Sequence, residues 1–189
     1  MNLTNMSAFS PAKVVPKVQQ GAAAEEIAFS IGESALGAVL VARSTDGVCA
    51  ILIGSVAAEL ESDLATRFAY SKLVRNDRKL SDDLGEILRF IETPSDGLNL
   101  RLDIRGTPFQ QRVWEALLRI PPGSIVTYGA LANRIGKPGA VRAVANACAA
   151  NAIALAIPCH RVVRSNGTLS GYRWGVERKR ALLAREAQA

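Results

Sequence analysis

A chain of 189 residues fits one large domain or two small ones, and 49% hydrophobic residues supply material for a core. No run approaches the ~18 consecutive apolar residues of a membrane span. No basic segment followed by an apolar one opens the chain, so a signal peptide is not expected and a cytoplasmic protein is. The charge is +6 and uneven: seven Lys and Arg against two acids from Arg101 to Arg142, and seven against one from Arg161 to Arg185. A basic half of this kind suggests a polyanion partner; a merely soluble basic surface is the alternative. Cys49, Cys148 and Cys159 are an odd number without a CxxC pair. That speaks against a disulfide framework and a zinc site, and for a reducing compartment.

Residues 1–22 hold prolines, glutamines and small residues without a sustained period, and read as a flexible tail or linker remnant. Glu26 to Ile31 and Gly37 to Ala42 read as strands. The second leads through Ser44-Thr45-Asp46-Gly47 into Val48 to Ile53, and Asp-Gly between two apolar runs signals a hairpin. Cys49 falls inside that strand as a core residue. Leu60, Leu64 and Phe68 mark an amphipathic helix. A second, capped by Ser81 or Asp82, carries Leu84, Ile87, Leu88 and Ile91 on one face. The expected unit over 23–98 is a small α/β scaffold without a catalytic constellation, closed by the turn cluster Thr93-Pro94-Ser95-Asp96-Gly97.

The unit over 99–189 begins with Leu98, Leu100, Leu102 and Ile104, whose alternation predicts a half-buried strand. Thr107-Pro108-Phe109-Gln110 is a capping box with proline at the first helical position, and Phe109, Val113, Leu117 and Ile120 form the core face behind it. Pro121-Pro122-Gly123 stops that helix. Thr127 caps a short helix bearing Leu131 and Ile135 and ending at Gly136. Pro138 starts another that runs toward Asn151. Helix, tight turn, helix is a helix-turn-helix reading, although many such pairs are only structural. On the second helix Val141, Val144, Ala145 and Cys148 are the expected core face. Gly139, Arg142, Ala143, Asn146, Ala147 and Ala150 make an almost flat opposite side with one long cation near the helix N-terminus. Such a surface suits close approach to a nucleic-acid groove; an alanine-rich helix packed on its own protein is the alternative.

Ile157-Pro158-Cys159-His160-Arg161-Val162-Val163 contains the only histidine of the chain. Apolar flanks and a stiffening proline predict a buried extended run that delivers a thiol to a pocket floor beside a general base. The bland alternative is a buried cysteine behaving as a small hydrophobe. The glycine-punctuated run from Gly167 to Gly175, with Tyr172 and Trp174, could wall a flat aromatic ligand. In the terminal helix Glu186 shares a face with Leu182 and Leu183, and the sole histidine is its chemically sensible partner.

These residues carry a resemblance. Ile157 to Val163 resembles the active-site signature of the O6-alkylguanine-DNA alkyltransferases, the methylated-DNA–protein-cysteine methyltransferases. It is joined by Phe109 to Trp114, Val126 to Ala132, Gly136 to Val144, Asn151 and Gly171 to Gly175. The resemblance is strong over about residues 100–189 and looser over 26–98. It implies an α+β fold: a small N-terminal α/β scaffold followed by a mainly helical, helix-turn-helix-containing DNA-binding and catalytic domain. It further implies direct-reversal DNA repair. Cys159 takes the alkyl group from O6 of guanine, or O4 of thymine, once and irreversibly. No cofactor and no metal enters that step. Glu186, His160 and a bridging water deprotonate the thiol, and Tyr128 helps the guanine leave. The target base must be flipped out of the stack. Arg142 fills the gap, and Gly139 and Ala143 lie on the same minor-groove surface. Asn151, Val162, Tyr172, Arg173 and Cys148 shape the pocket. The implied partner is double-stranded DNA containing O6-alkylguanine, with no membrane and no obligate protein partner. Two-part bacterial members add a half with a cysteine-ligated zinc, and no cysteine cluster here matches it, so repair without zinc or transcriptional activation is expected. A non-enzymatic lesion sensor or helix-turn-helix regulator is the main competing reading; a cysteine hydrolase is a weaker one.

Overall fold

The near-continuous apolar runs of the first half become strands, two of them buried over almost their whole length and the first over Ile27 to Ser30. The computed structural model describes residues 25–169 and 171–188, so the tail expected over 1–22 lies outside the described residues. Strands β1 (Glu26–Ser34), β2 (Gly37–Arg43) and β3 (Val48–Gly54) form an antiparallel meander. The Asp46-Gly47 turn closes the second hairpin as its dipeptide predicts. β4 (Lys72–Arg75) adds in parallel to β1, giving the order β3-β2-β1-β4. The sequence reading lacks β4, which is short and only partly buried. Helix α1 (Ala57–Arg67) packs on β2 and β3 through Leu60 and Leu64. Helix α2 (Ser81–Glu92) packs on β1 and β2, burying Ile87, Phe90 and Ile91, while Leu84 and Leu88 lie at its margin. Its N-cap is Leu80, without a side-chain cap, rather than Ser81 or Asp82.

The expected strand over 98–104 does not form. Leu102 makes a single bridge to Val48, and Asp103 is buried where an alternating strand would turn it outward. The reason is competition for one edge. The outer edge of β3 is shared by two passing segments of the second half. Val48 N donates to Arg101 O (2.8 Å) and Asp103 N to Val48 O (2.9 Å). Further along, Ile51 N donates to Ala152 O and Ala154 N to Ile51 O, both at 2.9 Å. Asp103 is compensated by the Ser44 hydroxyl (2.6 Å) and by Arg105. The edge is thus covered, and the segment leading to Cys159 is stitched directly to the sheet.

Helix α3 (Pro108–Leu118) carries the predicted capping box: Thr107 Oγ1 accepts from Gln110 N, and the Gln110 side chain accepts from Thr107 N. Its buried face is Val113, Trp114 and Leu117. Helix α4 (Tyr128–Arg134) starts at its Thr127 cap, and helix α5 (Val141–Ala149) follows after a tight turn. α5 begins three residues later than Pro138 suggests. It is also rotated: Val144, Ala147 and Cys148 are buried, while Val141 is exposed. Trp114 explains the rotation, because it packs against α5 and its Nε1–H donates to Ala147 O (2.9 Å). β5 (Val126–Thr127) and β6 (Val162–Val163) pair in parallel, and α6 (Val176–Glu186) ends the described chain. Buried apolar residues of both halves form one continuous cluster. Among the described residues no helix is long and apolar enough to cross a membrane.

Candidate active site

Cys159 does not sit on an extended run. Leu155 adopts a left-handed φ of 67°, and Cys159–Arg161 then form a 3-10 turn between Pro158 and β6. The turn is what separates three consecutive functional side chains, all buried. Cys159 N donates to Ile157 O (2.8 Å), and the Asn151 amide donates both to Ile157 O (2.9 Å) and to Cys159 Sγ (3.3 Å). Asn151 Oδ1 accepts from Ile153 N (2.9 Å), so this one side chain fixes the loop between α5 and the thiol.

His160 and Glu186 meet: Nε2 lies 2.8 Å from Oε1. Arg161 also holds Glu186, through Nε (3.1 and 3.0 Å) and Nη2 (2.7 Å), and its Nη1 donates to Ile120 O. Gly123 N adds a longer bond to Oε2 (3.3 Å). Burial alone would raise the Glu186 carboxyl, but the bonds from His160 and Arg161 outweigh it and hold it down to about 2. Burial lowers His160 despite Glu186. The pair therefore stands as neutral imidazole and carboxylate near neutrality. An ionised carboxylate can only accept, so Nε2 carries the ring proton and Nδ1 carries the lone pair. Nδ1 is buried without a hydrogen-bond partner among the described residues. The ring is a base oriented by its own carboxylate.

The thiol itself rests protonated. Burial pushes Cys159 up to about 11, against the Asn151 hydrogen bond and the positive charge of Lys179, which both favour thiolate. Lys179 is fully buried and donates to Val162 O. Sequence reasoning missed Lys179 and Arg161 as parts of the site. The signal was there for Lys179, which lies at i, i+3 and i+7 with Leu182 and Glu186 on the inner face of α6.

A cavity of about 30 Å³ opens at the thiol, lined by Tyr128, Cys148, Cys159, Tyr172 and Arg173 along with Ala145 and Ala149. That volume is of the order of one water. Tyr172 stands edge-on to His160 (6.4 Å) and to Trp174 (5.1 Å). Of the residues expected at the pocket, Cys148, Tyr172 and Arg173 line the cavity and Asn151 lies behind it, on the thiol. Val162 is fully buried in β6, its carbonyl accepting from Lys179. Arg142 and Ala143 are exposed on the first turn of α5, and Gly139 is exposed in the turn before it. Among the described residues no group of three or more His, Cys, Asp or Glu could hold a metal ion.

A buried thiol followed in the chain by a histidine that its own carboxylate orients, set behind a helix-turn-helix pair, is the arrangement of a cysteine protein with a base beside its nucleophile. Comparison with known proteins narrows this. The family described as "6-O-methylguanine DNA methyltransferase, DNA binding domain" matches residues 108–188. The chain is 44% identical over 123 residues to the inducible methylated-DNA–protein-cysteine methyltransferase of Bacillus subtilis, covering 65% of this chain and 69% of that one. It is 51% identical over 162 residues to the bifunctional transcriptional activator/DNA repair enzyme Ada of Escherichia coli, covering 86% of this chain and 46% of Ada, so it spans about half the length of that relative. The crystal structure of Mycobacterium tuberculosis OGT in complex with DNA superposes with a TM-score of 0.70 at 32% identity, over 86% of this chain and 93% of that one. The chain belongs to the methylated-DNA–protein-cysteine methyltransferase family.

Proposed function

We propose that this protein repairs alkylated DNA by a single, irreversible transfer of the alkyl group from O6 of guanine to Cys159. The observation that carries the reading is the orientation of His160. An ionised Glu186 fixes the ring proton on Nε2 and leaves a buried lone pair on Nδ1 in the residue next to the thiol. A thiol that rests protonated needs such a base, because only the thiolate is a competent nucleophile for a methyl carbon. Through a bridging water, Nδ1 takes the thiol proton. Sulfur then attacks the methyl carbon, the S–C bond forms as the C–O bond breaks, and the guanine leaves with its electron pair. Tyr128, on the cavity rim, supplies the proton or hydrogen bond that lets it go. The thioether cannot be hydrolysed under these conditions, so each molecule acts once.

The base reaches the thiol by leaving the duplex stack. α5 enters the minor groove with its flat side, formed by Gly139, Ala143 and Asn146, and Arg142 fills the vacated stack. The resting cavity holds about one water rather than a purine, so Tyr172 and Arg173 move apart to admit the base, with Cys148 as a fixed wall and Asn151 holding the thiol from behind. Cys148, smaller than a methionine, leaves room for alkyl groups beyond methyl, and O4-alkylthymine is a further substrate.

Intact-mass spectrometry after mixing with duplex DNA bearing one O6-methylguanine tests the reading. The expected result is a gain of one methyl per chain, mapped to Cys159 and saturating at one equivalent. Cys159→Ser binds the same duplex and gains nothing. Tight lesion binding by the unaltered protein without any mass change would replace this reading with that of a sensor.

A further inference from the structure

A second, larger cavity lies behind the support of the thiol. It measures about 360 Å³, with Phe68, Trp114 and Ile153 among its apolar walls and Glu25, Arg67 and Arg105 among its polar ones. That volume is in the range of small-molecule sites, which start at about 300 Å³. The hydrogen-bonding groups around it are almost all satisfied from within. Arg105 spends its guanidinium on Glu25 (2.7 and 2.8 Å) and Asp103 (2.8 Å). Trp114 donates to Ala147 O, and Asn151 uses both ends of its amide. Arg67 is the exception. Its Nε shares Asp63 with Arg173, but its Nη2 is buried with no hydrogen-bond partner among the described residues. A buried guanidinium nitrogen without an acceptor is costly, and Arg67, which lines the cavity, escapes that cost by turning Nη2 toward an acceptor bound there.

We propose that this cavity is a binding site for a small organic monoanion: a carboxylate on a flat apolar body, its carboxylate on Arg67 and its body between Phe68 and Trp114. The walls select this chemistry. Aromatic and aliphatic side chains favour a flat apolar body. One unengaged nitrogen suits a single carboxylate, whereas a dianion such as phosphate would meet the Glu25 carboxylate without enough donors to offset it. The site is distinct from the alkyl pocket, since the two share no lining residue. They are nevertheless neighbours through Asn151 and Ile157, which line the large cavity and also hold the Cys159 backbone and thiol. An occupant therefore packs against the support of the nucleophile.

Phenylacetate is the probe, with phenylacetamide as its neutral counterpart, titrated into the full chain labelled with nitrogen-15. The chain has two tryptophans, Trp114 and Trp174, and Trp114→Phe assigns the indole resonances. The expected result is a saturable shift of the Trp114 indole with a Kd on the order of 1 mM, and roughly 10-fold weaker binding of the amide. Arg67→Gln weakens the acid to the level of the amide, and Arg67→Lys keeps the preference. Should Arg67→Gln fail to fold, the acid-to-amide ratio on the unaltered chain decides alone. No saturable shift up to about 10 mM, equal affinity for acid and amide, or a shift confined to Trp174 overturns the proposal.

Discussion

Glu186 is fully buried in practice, yet it is ionised because four donors converge on it: His160, Arg161 through two nitrogens, and Gly123 N. This makes it a linked stability group. Its folded pKa of about 2 lies below the unfolded carboxylate value of ~4.3, so its contribution is fully present above ~4.3 and is lost as pH falls toward 2. The amount is on the order of 2–3 kcal/mol. Urea unfolding at neutral pH and near pH 3 should show this loss, and Glu186→Gln should flatten that acid limb. The same substitution removes the orientation of His160, so transfer slows and its pH–rate profile moves to higher pH. An unchanged profile would remove Glu186 from the proton path. Lys179 acts on the other partner. Its ammonium favours the Cys159 thiolate against the burial that raises it. Lys179→Met should slow transfer roughly 10-fold near neutrality, the equivalent of one unit in the thiol pKa, with the loss recovered at higher pH. A loss of equal size at every pH would mean that Lys179 only props up the fold.

Helices whose ends are fixed by their own side chains were the legible elements. The Thr107 capping box states the start of α3 in four residues, and Thr107→Ala should cost about 1 kcal/mol, or roughly 2–4 °C in Tm measured by calorimetry. Where the outcome depends on a distant partner, the sequence misleads. Leu98 to Ile104 alternates as a strand should, but β3 gives its edge to two segments and only Leu102 bridges. α5 is rotated away from its apolar period because the Trp114 indole claims Ala147 O, a contact across 33 positions. The signature around Cys159 named its three residues, but not the turn that splays them or the Arg161 clamp. Charge counts do not reveal which arginine goes inward. The rotation leaves Arg142 and Ala143 exposed, and Arg142→Ala should impair base flipping, read with a fluorescent base analogue, more than duplex binding. Equal losses in both would count against an intercalating role.

At the scale of the molecule, the two halves share a core, and the thiol loop hangs on the sheet of the first half through Ile51. Polar ties cross the same boundary, and they are not equivalent. Arg173 reaches Asp63 at 2.8 Å, but both side chains are substantially exposed, and such pairs are worth only ~0–1 kcal/mol. Arg178 is the stronger candidate. Its Nε donates to Leu36 O (2.7 Å), Nη2 to Ser55 Oγ (2.9 Å) and Nη1 to Trp174 O (2.9 Å). It therefore pins the β1–β2 turn, the end of β3 and the loop carrying Tyr172 to the start of α6. Removing it strands carbonyls at Leu36 and Trp174, whereas Asp63→Asn leaves Arg173 free to turn to solvent and keeps an amide oxygen that still accepts from Arg67 Nε. Arg178→Met should cost about 2 kcal/mol in urea unfolding, and Asp63→Asn less than ~1 kcal/mol. The two should diverge in repair as well. With Trp174 O released, the Tyr172 wall loses its anchor and transfer slows in Arg178→Met at a pH–rate midpoint that does not move, because no group of the proton path has changed. In Asp63→Asn, Arg173 is released toward the DNA side, and duplex affinity should rise slightly at low salt and converge with that of the unaltered protein as salt screens it. Equal destabilisation by the two substitutions would mean that the apolar core, and not Arg178, carries the coupling between the sheet and the pocket wall.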